Sequence, residues 1–395
     1  MSLSDEPRAT PGTVALGIES PDVIVVGGRA AGAASAMLLA RGGVRTLLID
    51  NDSTSSYSPS THALMRGGVL QLSRWGLLDS IVAAGTPPVK RTTVRYRDET
   101  TVMSVKPSHG VDALYAPHPD VLGPALLRAA VDAGAKVRDD ISVTGLVVDH
   151  DRIVGVRGTT SDGADVAVVA KLVIGADGMG SIVAHDVDAT PSRLGHHAAA
   201  MSYGYWSGLD LDGFEFIYRP HACSGFVPTS GGRVCVFASA PPERLGQGGV
   251  DVITEIVSEG APELARRLRD AEPPDVTPLW VGRPGFIRRA HGAGWALVGD
   301  AGCYQDPLSA HALTDALRDA ELLARAVMDG SRDDTSMDTA LEHYESTRDS
   351  LSIHRFDVID RIASHEWDST EMAALQLQLS SAMSNEIEVL AALES

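Results

Sequence analysis

The sequence has few of the features that mark several large classes of protein. Its 395 residues include three cysteines, Cys223, Cys235 and Cys303, which have no metal-ligand spacing and cannot all pair. Such cysteine usage suits a reducing cytosol, and no metal site is expected. Lysine and arginine number 33 against 52 acidic residues, and the net charge of −19 argues against nucleic acid and anionic membranes as partners. Because no apolar run approaches the ~18 residues of a membrane span, we expect a cytoplasmic protein.

One stretch organises the rest of the chain: DVIVVGGRAAGAASAMLLARGGVRTLLID, residues 22–50. Its pattern predicts a buried strand, a glycine turn, an alanine-rich helix and a second buried strand. In such a unit the glycines let the backbone approach a pyrophosphate, the helix N-terminus supplies N–H groups, and a following acid binds a ribose. In G-x-G-x-x-G phase the residues are Gly27, Arg29 and Gly32, and Asp50 is the acid. The alternative is an α/β hairpin with an incidental glycine turn, but the spacing favours a dinucleotide site.

Two later segments repeat the pattern of an apolar strand followed by glycine and an acid. KLVIGADG places Asp177 and Gly178 in a turn, where the acid either binds a sugar hydroxyl or only shapes the turn. The strand WALV ends in Gly299 and Asp300, and a proline-containing loop follows it. Apolar residues at helical spacing then predict an amphipathic helix over 310–329. We interpret this second segment as a binding site at a helix N-terminus.

Eight of the 19 Phe, Trp and Tyr residues lie between 198 and 240, in alternating segments that Gly and Pro turns separate. This pattern predicts an antiparallel sheet, and a hairpin is predicted over 89–105. An aromatic sheet face is usually core, although beside a cofactor such a face can contact a flat apolar ligand. The candidates for substrate binding are Tyr203, Tyr205, Phe216 and Phe226. Alternation allows only about half of the side chains of any strand to face a pocket.

Taken together, VVGGRAAG with Asp50, GADG at 175–178 and GDAGCYQDP at 299–307 resemble the three FAD motifs of the aromatic hydroxylases. These are flavoprotein monooxygenases of the p-hydroxybenzoate hydroxylase fold, related to flavin-dependent halogenases and geranylgeranyl reductases. The resemblance implies non-covalent FAD, with the first motif on the pyrophosphate, Asp50 on the adenosine ribose and Asp300 on the ribityl chain. It also implies that the helix after His311 points its N-terminus at the flavin. The implied cofactor-binding residues are Gly27, Arg29, Ala30, Ala31, Gly32, Asp50, Val143, Asp177, Gly178, Gly299, Asp300, Pro307, His311 and Ala312.

The same resemblance implies the fold class and the domain organisation. We expect an α/β protein with a Rossmann-like FAD-binding domain of the p-hydroxybenzoate hydroxylase type, an inserted antiparallel-sheet substrate domain and a helical C-terminal tail. Residues 1–20 are expected to be a disordered lead-in. The expected ranges are 21–86, 116–190 and 281–330 for the FAD-binding domain, 87–115 and 191–280 for the substrate domain, and 331–395 for the C-terminal helical segment.

Several positions depart from the family pattern and bear on the electron source. Asn51, His118 and the pair Ala184-His185 stand where the family has arginines near the ribose acid, the second helix and the second motif. The phosphates of NAD(P)H need cationic partners, and the net charge opposes them at long range, subject to screening within about 8 Å. We therefore expect weak direct use of NAD(P)H, with flavin reduction improved by substrate or supplied by a partner flavin reductase. The tryptophan motif and lysine of the halogenases are not recognisable, which disfavours halogenation.

The resemblance favours an FAD-dependent monooxygenase of secondary metabolism. Its small-molecule substrate would be aromatic or polyketide-like, and it would be hydroxylated or epoxidised with O2 through a flavin C4a-hydroperoxide. The alternatives are an FAD-dependent reductase of isoprenoid-type double bonds and a non-redox cyclase that binds flavin as a scaffold. His62, His118 and Gln305 are the candidate catalytic residues near flavin or substrate, since a histidine can act as a base near neutral pH. For each of them a plain surface role is the alternative.

Overall fold

The computed structural model describes residues 14–15, 20–51, 62–96, 99–332 and 336–393. Most of the expected lead-in lies outside these residues, but Val14–Ala15 form a short strand. In chain order the strands are β1 (Val14–Ala15), β2 (Val23–Val26), β3 (Thr46–Ile49), β4 (Arg91–Tyr96), β5 (Glu99–Ser104), β6 (Lys136–Arg138), β7 (Ile141–Asp149), β8 (Arg152–Thr160), β9 (Asp165–Val169), β10 (Leu172–Gly175), β11 (Pro191–Leu194), β12 (Ala200–Ser207), β13 (Phe214–Arg219), β14 (Ala222–Pro228), β15 (Arg233–Ala240), β16 (Leu279–Val281), β17 (Phe286–Arg288), β18 (His291–Gly292), β19 (Trp295–Leu297) and β20 (Cys303–Tyr304). The α-helices are α1 (Ala30–Arg41), α2 (Arg66–Arg74), α3 (Leu78–Ala83), α4 (Pro119–Asp132), α5 (Ile182–Asp186), α6 (Pro242–Leu245), α7 (Val250–Gly260), α8 (Pro262–Asp270), α9 (Ala312–Gly330), α10 (Met337–Ala363) and α11 (Ser369–Ala392).

A six-stranded sheet forms the centre of one half of the molecule. Its order is β18-β19-β10-β2-β3-β6, and neighbours are parallel except for β18 and β19. Every residue of β2, β3 and β10 is buried, which explains their unbroken apolar sequences. Helices α1, α4 and α9 cover one face, and the other packs against α5 and the sheet β1-β9-β8-β7. The predicted strand-helix-strand unit is therefore present as β2-α1-β3.

Helix α1 lies close to its neighbours because its side chains are small. Ala33, Ala34 and Ala36 are fully buried, and the helix packs along both α4 and α9. The turn at Gly299 lies against Ala31. A Cβ added at Gly299 would be only 2.9 Å from the Cβ of Ala31. The close packing brings the N-terminal ends of α1 and α9 to the same edge of the sheet.

A seven-stranded sheet forms the other half, in the order β16-β12-β15-β14-β13-β4-β5. Its neighbours are antiparallel except for β13 and β4, which are parallel, and the predicted hairpin over 89–105 supplies β4 and β5. One face packs under α7 and α8. The other, which we call the inner face, packs against residues of α10 and α11. A three-stranded sheet, β11-β17-β20, links the two halves of the chain.

The C-terminal segment is helical, as its periodicity predicts. The side chains of Ser336 and Asp368 accept hydrogen bonds from backbone N–H groups in the first turns of α10 and α11, so each long helix begins at a capping residue. Helix α10 packs on α9, and α11 packs on α10 and α2. Among the helices of the described ranges, none combines the length and apolarity that crossing a bilayer requires.

Candidate functional site

The three glycine-acid motifs meet at one edge of the six-stranded sheet. Neighbouring parallel strands β19, β10, β2 and β3 all end there, and each is followed by residues that the sequence singles out. Ligands of open α/β sheets bind in this position, outside the carboxyl ends of the strands. The topology therefore brings together segments that lie more than 100 residues apart in the chain.

The glycine turn between β2 and α1 forms a cradle that side chains would fill. Gly27 has φ +103°, and a Cβ there would lie 2.5 Å from the carbonyl oxygen of Ala176. A Cβ on Gly32 would overlap the carbonyl oxygen of Gly27. The side chain of Arg29 does not cap α1, and Ala30 follows at the first helical position. Backbone N–H groups at this helix N-terminus therefore suit the pyrophosphate of a dinucleotide.

Asp50 occupies the end of β3, where the resemblance expects the ribose acid. Its Oδ2 accepts a hydrogen bond of 2.8 Å from the Gly28 N–H, and its Oδ1 accepts one of 2.9 Å from the Asn51 N–H. These bonds fix the carboxylate beside the cradle. The amide of Asn51 reaches Ser142 at 3.4 Å, and Val143, a proposed cofactor contact, is half-buried against the core beneath.

Asp177 shapes the turn after β10. Its Oδ2 accepts a hydrogen bond of 2.7 Å from the Ile182 N–H at the start of α5, and burial raises its pKa. Its Oδ1 is buried without a hydrogen-bond partner among the described residues. Gly178 follows with φ +78°. The turn-shaping interpretation is therefore observed directly, and the second carboxylate oxygen is the group that we propose faces the cofactor.

Asp300 lies half-buried between the N-terminal ends of α1 and α9. Its pKa is raised to about 7. Burial is the main cause, the charges of Asp315 and Asp319 act in the same direction, and the charge of Arg29 lowers the pKa. No hydrogen bond joins its carboxylate to any residue of the described ranges. The hydroxyl groups of a ribityl chain would be suitable donors to this carboxylate.

The Asp300→Asn variant is expected to separate apoprotein stability from FAD affinity. A carboxyl pKa raised from 3.8 to about 7 gives stability that is fully present below pH 3.8 and lost as the pH rises through 7. Asparagine stays neutral, so at pH 8 the variant apoprotein should be more stable by about 2 kcal/mol, allowing for partial exposure, and equal near pH 4. FAD should bind roughly tenfold more weakly. Urea unfolding at both pH values and FAD titration measure the two effects; an unchanged pH dependence contradicts this account.

The loop before α9 presents small residues to the same edge. Leu308, Ala310 and Ala312 are half-buried, and Ala310 has the left-handed φ of +49°, an uncommon conformation for alanine. Pro307 is buried at the start of the 3₁₀ turn Pro307–Ser309. The first N–H groups of α9 follow this corner. We propose that they face the flavin end of FAD, in a groove between the two halves.

The side chain of His311 does not face this groove. It is fully buried, and its Nε2 lies 2.6 Å from Oε2 of Glu386, on α11. Its Nδ1 has no hydrogen-bond partner among the described residues. The cofactor contact proposed for His311 is therefore assigned to its backbone rather than its imidazole.

Glu386 belongs to a fully buried ion network behind α9. Arg318 donates to Glu386 at 2.8 Å and to Asp319 at 2.7 Å, and Arg355 reaches Glu386 at 3.4 Å and also bonds Asp315. Burial alone would raise the pKa of Glu386, but the charges of His311, Arg355 and Arg318 outweigh it and hold the pKa well below its usual value.

The same cluster has the donor atoms of a metal site, but arginine side chains occupy it. One ligand atom each from His311, Asp315 and Glu386 lies within 4.8 Å of the others. The carboxylate oxygens already accept hydrogen bonds from guanidinium groups, which occupy the space where a cation would bind. We therefore interpret the cluster as a structural ion network that ties α11 to α9.

Two of the three candidate catalytic residues lie together at the inner face. The rings of His62 and His118 lie 6.2 Å and 4.6 Å from that of Tyr205. Burial, and then the neighbouring His118, lower the pKa of His62 to about 3. Burial also lowers the pKa of His118, with Arg233 adding to the effect and Asp120 opposing it. Both imidazoles are therefore neutral at pH 7.

Gln305 lies elsewhere, next to the ion network. It is buried, its Oε1 accepts a long hydrogen bond of 3.4 Å from Arg355, and its Nε2 lies 3.9 Å from Sγ of Cys303. This position behind the loop gives Gln305 a structural contact rather than one with the histidines. We leave it out of the proposed catalytic set.

The aromatic candidates divide between the two faces of the seven-stranded sheet. Tyr203, Tyr205 and Phe216 lie on the inner face. Phe226 lies on the opposite face, packed fully buried under α7 and α8, and it is therefore removed from the proposed substrate set. Because side chains alternate between the faces of a sheet, Phe226 shares a face with its pairing partner Val236 and not with Phe216.

Apolar residues of the inner face and of the loop before α9 form one cluster, and we propose that a substrate cleft lies between these two walls. Its half-buried residues are Tyr205, Phe216 and Trp280 from the sheet side and Leu308 and Ala310 from the loop side. Helix α11 contributes the buried Met372, Leu375 and Leu379 to the same cluster. The sequence of α11 shows only helical periodicity, so it gives no signal that this helix contributes to the cleft.

Comparison with known proteins was made for the sequence and for the fold. The family described as FAD binding domain matches residues 20–353. Digeranylgeranylglycerophospholipid reductase of Methanosarcina mazei is 26% identical over 341 residues, covering 82% of this chain and 79% of that protein. Aklavinone 12-hydroxylase DnrF of Streptomyces peucetius subsp. caesius is 26% identical over 249 residues, covering 56% and 50%. A triple mutant of the flavin-dependent brominase Bmp2 superposes with a TM-score of 0.79 at 17% identity, covering 94% of each chain, a likeness of fold alone.

Proposed function

Since this chain belongs to the FAD binding domain family and is an FAD-dependent oxidoreductase, we propose that it is a monooxygenase that hydroxylates or epoxidises an aromatic or polyketide-like small molecule. Bound FAD supplies the electron transfer to O2 on which such chemistry depends. The remaining work, which is binding, orientation and exclusion of water, falls to side chains of this chain.

The observation that carries this proposal is the apolar character of the two walls of the proposed cleft. Half-buried Tyr205 and Phe216 face it from the sheet, and Leu308 and Ala310 face it from the loop at the proposed flavin end. A planar aromatic molecule between these walls would bury apolar area on both of its faces. The similarity to an aklavinone hydroxylase supports the same substrate class.

Neutral histidines at one end of the cleft suit hydrogen bonding to a substrate hydroxyl. His62 has the left-handed φ of 55°, a strained conformation for a residue with a side chain, and its ring is held against Tyr205. Because burial lowers the pKa of both His62 and His118, both rings are neutral at pH 7 and suit a hydrogen bond with a substrate hydroxyl. We propose that these two residues orient the substrate.

Reduction of isoprenoid-type double bonds is the second candidate function. The digeranylgeranylglycerophospholipid reductase of Methanosarcina mazei matches over 82% of this chain, a larger share than the hydroxylase matches. The apolar wall that Met372, Leu375 and Leu379 contribute also suits a prenyl chain. The two functions differ in their need for O2.

The partners of two arginines bear on the electron source. Arg41 donates to the carbonyl of Trp75 at 3.1 Å, and Arg66 reaches Ser384 at 3.3 Å, so these two guanidinium groups already have protein partners. Both are therefore less available to the phosphates of NAD(P)H. We propose that direct reduction by NAD(P)H is slow and that substrate or a partner flavin reductase improves it.

An oxygen-dependence assay distinguishes the two functions. The purified protein should be yellow with FAD, and NADPH oxidation should rise roughly tenfold with a suitable polycyclic aromatic polyketide, only in air. The test panel contains aklavinone and a geranylgeranylated glycerol lipid, with an added flavin reductase in parallel reactions. Products carrying one added oxygen support the monooxygenase. Saturation of the lipid under nitrogen would instead establish the reductase, and fast NADPH oxidation without substrate would contradict the proposed electron source.

A further inference from the structure

One arginine of the inner face stands at the end of the cleft where the histidines lie. Strands β12 and β15 pair so that Arg233 is opposite Ser207, two residues along from the pair of Tyr205 and Cys235. The period of two therefore puts Arg233 and Tyr205 on the same face. The guanidinium carbon of Arg233 lies 5.7 Å from the centre of the Tyr205 ring.

Arg233 has no carboxylate partner within 4.0 Å among the residues that the structure describes. Arg95, on β4, shows the contrast. It is half-buried like Arg233, but its guanidinium group pairs with the carboxylates of Glu215 at 3.1 Å and Glu263 at 3.3 Å. No carboxylate of the described residues therefore neutralises the charge of Arg233, and this charge is available to a ligand.

The two neighbouring imidazoles add donors without adding charge. His118 Nδ1 lies 3.3 Å from the Asp120 backbone nitrogen and 3.2 Å from the Asp120 carboxylate, so this ring atom is already engaged. No hydrogen bond within the described residues uses its Nε2. The positive charge of Arg233 also lowers the pKa of His118, so the two groups are close enough for electrostatic repulsion.

We propose that Arg233, His118 and His62 form a subsite for an acidic group of the substrate, either a carboxylate or an ionised phenol. This inference rests on the proposed function, because it assumes that the cleft binds the molecule to be oxidised. The other cleft walls, Phe216 and Leu308 among them, are apolar, so the acidic group would fix which end of the substrate reaches the flavin groove. A charged group that Arg233 and a neutral imidazole both contact gains hydrogen bonds of the stronger, charge-assisted kind.

The test compares two probes that differ only in charge, 2-naphthoate and 2-naphthamide, on the FAD-saturated protein by calorimetric titration. Wild type is expected to bind the naphthoate roughly tenfold more tightly. Arg233→Gln should lose that preference while keeping the affinity for the amide, and Arg233→Lys should keep part of it. Arg128→Gln, which removes an exposed charge from α4, is the matched control and should keep all of it.

Three results would overturn the inference: no naphthoate binding to wild type at millimolar concentration, equal affinities for both probes, or an equal loss of both in Arg233→Gln. FAD content and circular dichroism of each variant show whether it folds. The inference and the proposed function fail separately. A protein that binds and reduces FAD but has no preference for the anion keeps its function and loses this subsite, whereas a protein without FAD loses both.

Discussion

A single methyl group at position 32 is expected to remove FAD from this protein. In Gly32→Ala the new Cβ would overlap the carbonyl oxygen of Gly27 and approach its carbonyl carbon to 3.0 Å. Both groups are backbone, so the turn between β2 and α1 must move. Because we propose this turn as the cradle for the pyrophosphate, we expect the affinity for FAD to fall by roughly 100-fold or more. Titration of the apoprotein with FAD, followed by flavin fluorescence, measures it.

Two further glycine variants make this result interpretable. Gly123→Ala on α4 adds a methyl group in open space, so it should leave FAD binding unchanged and raise stability by about 0.5–1 kcal/mol. In Gly28→Ala the added Cβ would meet Oδ2 of Asp50 at 2.5 Å, a side-chain atom that can move. That variant should fold and still bind FAD weakly, even if Gly32→Ala does not fold. Normal FAD affinity in both Gly28→Ala and Gly32→Ala contradicts the cradle.

The meeting of the three motifs was predictable because each motif is local and parallel strands end at one edge of a sheet. A buried strand, a glycine turn and an acid are readable within some 30 residues, as at Gly27, Gly32 and Asp50. Parallel strands then bring the carboxyl ends to one edge, as β19, β10, β2 and β3 show. The family and the fold that the resemblance implied are confirmed by the match over residues 20–353 and by the structural comparison.

The faces of the second sheet were harder to assign. Alternation shows that neighbouring residues point to opposite faces, but not which face is the pocket, and a shift of one residue exchanges them. Phe226 was assigned to the pocket for this reason and lies under α7 and α8 instead. Arg233 begins β15 in phase with Phe237, and that alternation was the only signal in the sequence that could have placed it on the inner face.

The ion network around α11 had no local signal at all. Glu386 bonds groups that lie 75, 68 and 31 residues before it, His311, Arg318 and Arg355. A glutamate in an amphipathic helix normally faces water, and only the tertiary structure shows that this one is buried. The contribution of α11 to the cleft was missed for the same reason.

Loss of the carboxylate in Glu386→Ala is expected to destabilise the protein by about 3 kcal/mol. The substitution leaves the buried guanidinium groups of Arg318 and Arg355 with fewer partners, although Asp315 and Asp319 still neutralise part of their charge. Urea unfolding of the FAD-saturated protein measures the change. Glu388→Gln, which alters an exposed carboxylate on the same helix, is the control and should change stability by less than about 0.5 kcal/mol.

Glu386→Gln gives the same prediction a pH signature. The folded pKa of Glu386 is held below the usual 4.5, so its contribution to stability is present above pH 4.5 and lost as the pH falls through the folded pKa. Glutamine keeps the shape but does not titrate. The stability difference between wild type and Glu386→Gln should therefore be largest above pH 4.5 and narrow below it. A stability difference that stays constant with pH would mean that packing, and not the charge of Glu386, holds α11 against α9. The wall of the cleft that α11 contributes would then not depend on this ion network.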